Sequence, residues 1–134
     1  MAYLLDTNII IAAIKGVPDV IGRLEKIPLS ALILSPIVLG ELEFGAEKSA
    51  QVEKNRARLA SLIENIPVAS LDSEASRHYG LIRADLEKKG TPIGANDLWI
   101  AAQALALGVV LVTDNVGEFS RVAGLEVENW VGKR

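Results

Sequence analysis

Five short, largely apolar runs recur along the chain: Ala2 to Leu5, Leu32 to Leu34, Val68 to Leu71, Val109 to Val112 and Leu125 to Val127. Runs of this kind suit strands covered on both faces, the last less fully than the others. Helical patterns separate most of them. From Glu74 to Lys89, residues Ala75, His78, Tyr79, Ile82 and Leu86 line one amphipathic stripe that stops at Gly90. Leu59, Leu62, Ile63 and Ile66 repeat the stripe in the preceding segment, which Pro67 closes. Leu98 to Leu107 is apolar nearly all round and ends at Gly108, which predicts a largely buried helix. Strands alternating with helices imply parallel crossovers, so the expected fold is α/β: a three-layer α/β/α sandwich around a parallel sheet of about five strands.

A chain of 134 residues, half of them apolar, can bury one sizeable core, and residues 1–134 are read as a single domain without repeats or linkers. The absence of cysteine excludes a disulfide framework, thiolate zinc sites and thiol nucleophiles, and fits a reducing interior. There is no basic leader, and Gly, Pro or acids interrupt every uncharged stretch before membrane-spanning length, so a cytoplasmic protein with no membrane segment is expected. The formal charge of −3 argues mildly against a nucleic-acid partner. That objection weakens if three acids belong to a metal site, because the remainder then balances at zero.

In such folds ligands bind beyond the carboxyl ends of the strands, and acids stand there. Asp6 follows the first run directly in Asp6-Thr7-Asn8; taken alone it reads as a helix N-cap. Ser35-Pro36 starts a helix after the second run, and counting phase from there puts Glu41 on an arc with Ile37, Val38, Phe44 and Gly45, opposite the solvated Glu43 and Glu47. An inward carboxylate needs a cation, a basic partner or a proton. Asp97 opens the most apolar helix, with Asn96 as its expected cap. Asp114 follows the fourth run in Val112-Thr113-Asp114-Asn115, a sequence that also suits a turn. Several acids converging on one edge would repel unless a hard cation joined them, and Mg²⁺ suits an all-oxygen donor set that also faces phosphates. Phosphodiester hydrolysis is the expected chemistry. His78, the only histidine, lies on the apolar stripe of its helix, and neither a Ser-His-Asp triad nor a P-loop has an anchor.

Four blocks in order carry a family resemblance. They are Leu4-Leu5-Asp6-Thr7-Asn8; Ser35-Pro36 with Gly40-Glu41-Leu42-Glu43-Phe44-Gly45-Ala46; Gly90 through Asp97; and Leu111-Val112-Thr113-Asp114-Asn115 through Glu118-Phe119. From residue 3 to about Trp130 the chain resembles the PIN-domain toxins of the VapC type. The resemblance implies a metal-dependent endoribonuclease using Mg²⁺, with Mn²⁺ as a substitute. The family's acids map to Asp6, Glu41 and Asp97, the first and third of them holding the metal chiefly. Many members read Thr-x-Asp at the fourth place, which here falls on Asn115, with Asp114 one position earlier. Thr7, Asn8, Ser35, Thr113 and Asn115 are similar to the polar residues that support such sites. The resemblance further implies a homodimer, a VapB-type antitoxin that covers the acidic pocket, and transfer RNA, including the initiator, as substrate.

Two other readings compete. A non-catalytic α/β module could bind RNA or a protein through the same edge. A phosphotransfer domain of receiver or acid-phosphatase type also places Asp after parallel strands, but it wants an acid where this chain has Asn8 or a pair of acids after the first strand. Arg56, Arg58, Arg77, Arg83, Lys88 and Lys89 read by default as a solvated surface.

Overall fold

The computed structural model describes residues 1–132. Four parallel strands, β1 (Tyr3–Leu5), β2 (Leu32–Ile33), β3 (Val110–Val112) and β4 (Val127–Glu128), form one sheet in the order β2-β1-β3-β4. The run at Val68 contributes a single parallel bridge to Leu34, closed by Leu34 N–H to Pro67 O and Ala69 N–H to Leu34 O. The expected fifth strand is therefore one residue pair at the sheet edge, where Val68 is 45% exposed and has little apolar surface to bury. The last strand also starts two residues later than its run predicts.

Among the described residues seven α-helices flank the sheet: α1 (Thr7–Ile14), α2 (Pro18–Lys26), α3 (Pro36–Lys48), α4 (Val52–Ile63), α5 (Ser73–Lys88), α6 (Ala95–Leu107) and the short α7 (Val116–Phe119). The stripe on α5 is buried at Ala75, Ile82 and Leu86 and half-buried at His78 and Tyr79, whose ring stacks on Trp99 of α6 at 4.1 Å. Helix α6 buries six of its thirteen residues and ends on Gly108 at φ 68°, a left-handed conformation that glycine adopts without a Cβ clash. Its cap differs from expectation. Gly94 occupies the N-cap position without a side-chain bond, which leaves Asn96 and Asp97 inside the first turn.

Leu4, Leu5, Leu111 and Val112 of the two central strands are wholly buried, and α1, α3, α4 and α6 close over them. The phase of α3 is the main correction to the sequence reading. Its core line is Val38, Leu42 and Ala46, whereas Phe44 is 66% exposed and Gly45 is exposed. At about 100° per residue Glu41 lies at the margin of that line and Phe44 on the far side. Hydrophobicity alone had pulled Phe44 into the arc; packing of Leu42 sets the actual rotation. No helix among the described residues is long and apolar enough to cross a membrane.

Candidate active site

The chain leaves β1 towards β2 on one side and returns to β3 on the other, so the crevice between the ends of β1 and β3 is a topological switch point. Asp6 N–H donates to Val112 O at 2.9 Å and fixes the first residue beyond β1 against the end of β3. The Asp6 side chain is 4% exposed. One of its oxygens accepts from Thr7 N–H at 2.8 Å, so the N-cap role is real. The other accepts from the Thr113 hydroxyl at 2.7 Å and from the Asn8 amide at 3.2 Å. Burial drives the Asp6 pKa upward, the bonds from Thr113 and Thr7 work against it, and the charge of Glu41 adds to the rise.

Thr113 is completely buried, and its hydroxyl is saturated: it donates to Asp6 and accepts from Asn115 N–H at 3.0 Å and the Asn8 amide at 3.3 Å. The Asn8 carbonyl oxygen in turn accepts from Asp114 N–H at 3.0 Å. Asn8 thus ties the loop after β3 to the start of α1. Thr7 donates its hydroxyl to Glu41 Oε1 at 2.7 Å and connects α1 to the half-buried acid of α3. Ser35 is buried as the cap of α3, accepting from Ile37 N–H at 3.1 Å.

Asp97, half-buried on the first turn of α6, is pushed up to about 7. Burial is the largest cause, followed by the hydrogen bond and charge of Glu118 and then the charges of Asp6 and Glu41. Glu118 moves the other way. Burial would raise it, but Gly94 N–H, Asp97, Asn115 and the charge of Arg121 together lower it. The two carboxyls titrate as a pair, Asp97 displaced upward and Glu118 downward. Glu118 Oε1 accepts from Gly94 N–H at 3.1 Å, Oε2 accepts from the Asn115 amide, and Arg121 donates to Pro92 O at 3.2 Å, which ties the loop before α6 to α7.

Glu118 is the acid that sequence reasoning missed. Its signal was the spacing Asn115-x-x-Glu118 at a helix start, the pattern of a reciprocal cap. Asp114 donates its backbone N–H to Asn8, and Glu118 heads the charged groups acting on Asp97.

Among the described residues no three acidic side chains already stand at metal-ligand spacing; Asp6, Glu41, Asp97 and Glu118 face one another at electrostatic range. The ion pairs among the described residues join Arg23 to Glu128, Arg56 to Glu47, Arg83 to Glu87 and Lys89 to Asp85, so none neutralises Asp6, Glu41 or Asp97. Anionic oxygens without imidazole, thiolate or a paired ammonium form a donor set suited to a hard divalent cation.

Residues 3–125 match the PIN domain family. The chain is 41% identical over 130 residues to the "tRNA(fMet)-specific endonuclease VapC" of Salmonella typhimurium, an alignment covering 97% of this chain and 98% of the relative. It is 40% identical over 132 residues to "Ribonuclease VapC2" of Rickettsia felis, with the same coverage of each. The structure superposes with a TM-score of 0.90 and 38% identity on a chain of the crystal structure of VapBC2 from Rickettsia felis bound to a DNA fragment from their promoter, covering 97% of this chain and 99% of that one.

Proposed function

The chain belongs to the PIN-domain family, and from that membership we propose that it is a ribonuclease of the VapC type, the toxin of a toxin-antitoxin pair, hydrolysing RNA phosphodiester bonds with a divalent metal. The observation that carries the reading is Asp6. It is a buried carboxylate at the sheet's switch point, anchored by three donors and bearing no basic partner among the described residues, within electrostatic reach of Glu41 and Asp97.

Divalent-metal dependence goes with the family; Mg²⁺, with Mn²⁺ able to replace it, is our choice for an all-oxygen site. Asp6 and Asp97 would hold the ion chiefly, Glu41 would complete its surroundings, and Glu118, the foremost charge acting on Asp97, would join them as a further acid beside Asp114. When bound, the ion would lower the pKa of a water and stabilise charge on the phosphoryl oxygens. Thr113, Asn8 and Thr7 fix the directions of the Asp6 and Glu41 oxygens, and Asn115 holds Glu118.

We take residues 1–134 as one such domain, cytoplasmic, and transfer RNA, the initiator first, as the substrate; the Salmonella relative's name supports that choice. The antitoxin is of VapB type. A groove of about 400 Å³ between α1, α3 and α4, lined by Ile11, Ile14, Leu42, Ala46 and Leu59 together with Lys15, Arg58 and Glu41, suits a segment that carries apolar and acidic side chains and reaches the acids at Glu41. We infer a homodimer, as in the resemblance.

The test incubates the purified protein with initiator transfer RNA, with and without EDTA, and maps the ends produced. Cutting that needs metal and vanishes in Asp6→Asn and Asp97→Asn is the expected result. Binding without cutting would identify a non-catalytic module instead.

A further inference from the structure

Phe44 is the odd residue of α3. It is a large aromatic ring 66% exposed on a helix face otherwise given to Glu43 and Glu47. It lines a cleft of about 310 Å³ whose other walls are Pro36, Ile37, Gly40, Glu41 and Asn96. Two of these reach the acidic site: Glu41 belongs to it and Asn96 precedes Asp97. Gly40 stands one turn before Phe44, and a Cβ there would meet nothing within 4 Å, so the flank of the ring is left open where most residues would cover it. The Asn96 side chain, displaced from its expected capping role, makes no hydrogen bond among the described residues and can offer both a donor and an acceptor. The Lys48 ammonium sits over the ring, 5.8 Å from its centroid, and brings a positive charge to that face, leaving the opposite face for a base.

We propose that Phe44, Gly40 and Asn96 form a nucleobase subsite in which one base of the RNA, next to the scissile phosphate, stacks on the Phe44 ring. The proposal rests on the ribonuclease reading above. Single-stranded RNA is recognised by splaying bases onto aromatic faces and bonding their edges. The cleft supplies a ring, an open flank, an amide for the base edge and an ammonium for a neighbouring phosphate, contiguous with the acids. The Asn96 amide would favour some bases over others, and the ring would accept any.

The test uses the full chain and synthetic RNA oligonucleotides spanning the cleaved sequence, each with one abasic ribose near the cut. Cleavage is followed below saturation and binding by fluorescence anisotropy in Mg²⁺. Phe44→Ala should lose about ten-fold in kcat/KM, mostly through KM, and about ten-fold in affinity. Gly40→Leu, which fills the flank, should do the same, while Phe44→Trp should retain activity. One abasic position should cost the wild-type protein about ten-fold and cost Phe44→Ala nothing further. The proposal is overturned if Phe44→Ala cuts and binds as the wild type does, or if every abasic penalty adds to that of the substitution. It is also overturned if light scattering shows a change of mass accompanying the loss, since the ring would then serve a second copy of the chain. A wild-type protein that binds RNA but does not cut it refutes the nuclease reading, while the anisotropy arm still decides the subsite; one that does neither refutes both.

Discussion

Replacing Asp97 with Asn should make the metal-free protein more stable while abolishing its cleavage of RNA. The Asp97 carboxyl titrates near 7 in the folded protein against an ordinary 3.8, because burial and the charges of Glu118, Asp6 and Glu41 oppose its ionisation. Below about pH 4 it is protonated in both folded and unfolded chains and contributes nothing. Between 4 and 7 the unfolded chain releases the proton and the folded one keeps it, so the cost to the fold grows with pH; above 7 the cost is constant. A displacement of about three pH units corresponds to a ceiling of about 4 kcal/mol. Solvent screening at a half-buried group brings the expected figure to about 2 kcal/mol or less. Asparagine has the same shape and donates to Glu118 as the protonated acid does, so the substitution removes the charge while keeping the bond. For a chain of this length, thermal melts in EDTA at pH 8 should show Asp97→Asn melting roughly 6 °C higher than the wild type. The difference should shrink to about a quarter by pH 4.5 and vanish below the ordinary carboxyl range, and adding Mg²⁺ should stabilise only the wild type. A variant that is no more stable at pH 8, or whose gain is independent of pH, would refute the claim that the acids oppose one another across this site.

Glu118→Gln should move the acid limb of the pH-rate profile to lower pH, since Asp97 would lose the charge that heads those acting on it. Thr113→Val removes the donor from Asp6 and should weaken Mg²⁺ binding about 10- to 100-fold, read by calorimetry, with the far-UV spectrum unchanged. Gln103→Ala leaves the Ala69 and Ser70 carbonyls without their donor and opens a small void, so it should cost about 2 kcal/mol in urea melts while leaving cleavage intact.

The central strands were legible because their apolar runs have no polar face to misplace, and α5 and α6 because a stripe or an all-round apolar helix survives any error of a residue at its ends. What failed depended on contacts distant in sequence. Helix α2 is the exception: Val20, Ile21 and Leu24 share one face of its nine residues, so its stripe was legible locally and was passed over for its shortness. The phase of α3 is fixed by Leu42 against the core, and no local rule tells Phe44 that it faces water. Asp6 and Asp97 stood out because they sit at a strand end and a helix start, and Glu41 because helix phase counted from Ser35-Pro36 turned it away from the solvated Glu43 and Glu47. Glu118 did not, since its place is made by a bond to Gly94, 24 residues away, and by the docking of α7.

The four acids are held in two different ways, and the difference explains how such a site can exist before its ion arrives. Asp6 is fixed: the fold gives it three donors, so its oxygens point where the strands place them whether or not charge is neutralised nearby. Asp97 and Glu118 face each other and titrate as a pair, so Asp97 resists ionisation until a cation displaces its proton. The proton thus spares the empty site part of the repulsion that a buried carboxylate cluster would otherwise impose, and metal binding must release it. It follows that the apparent affinity for the ion rises with pH up to about 7, as Asp97 loses its proton, and then levels off.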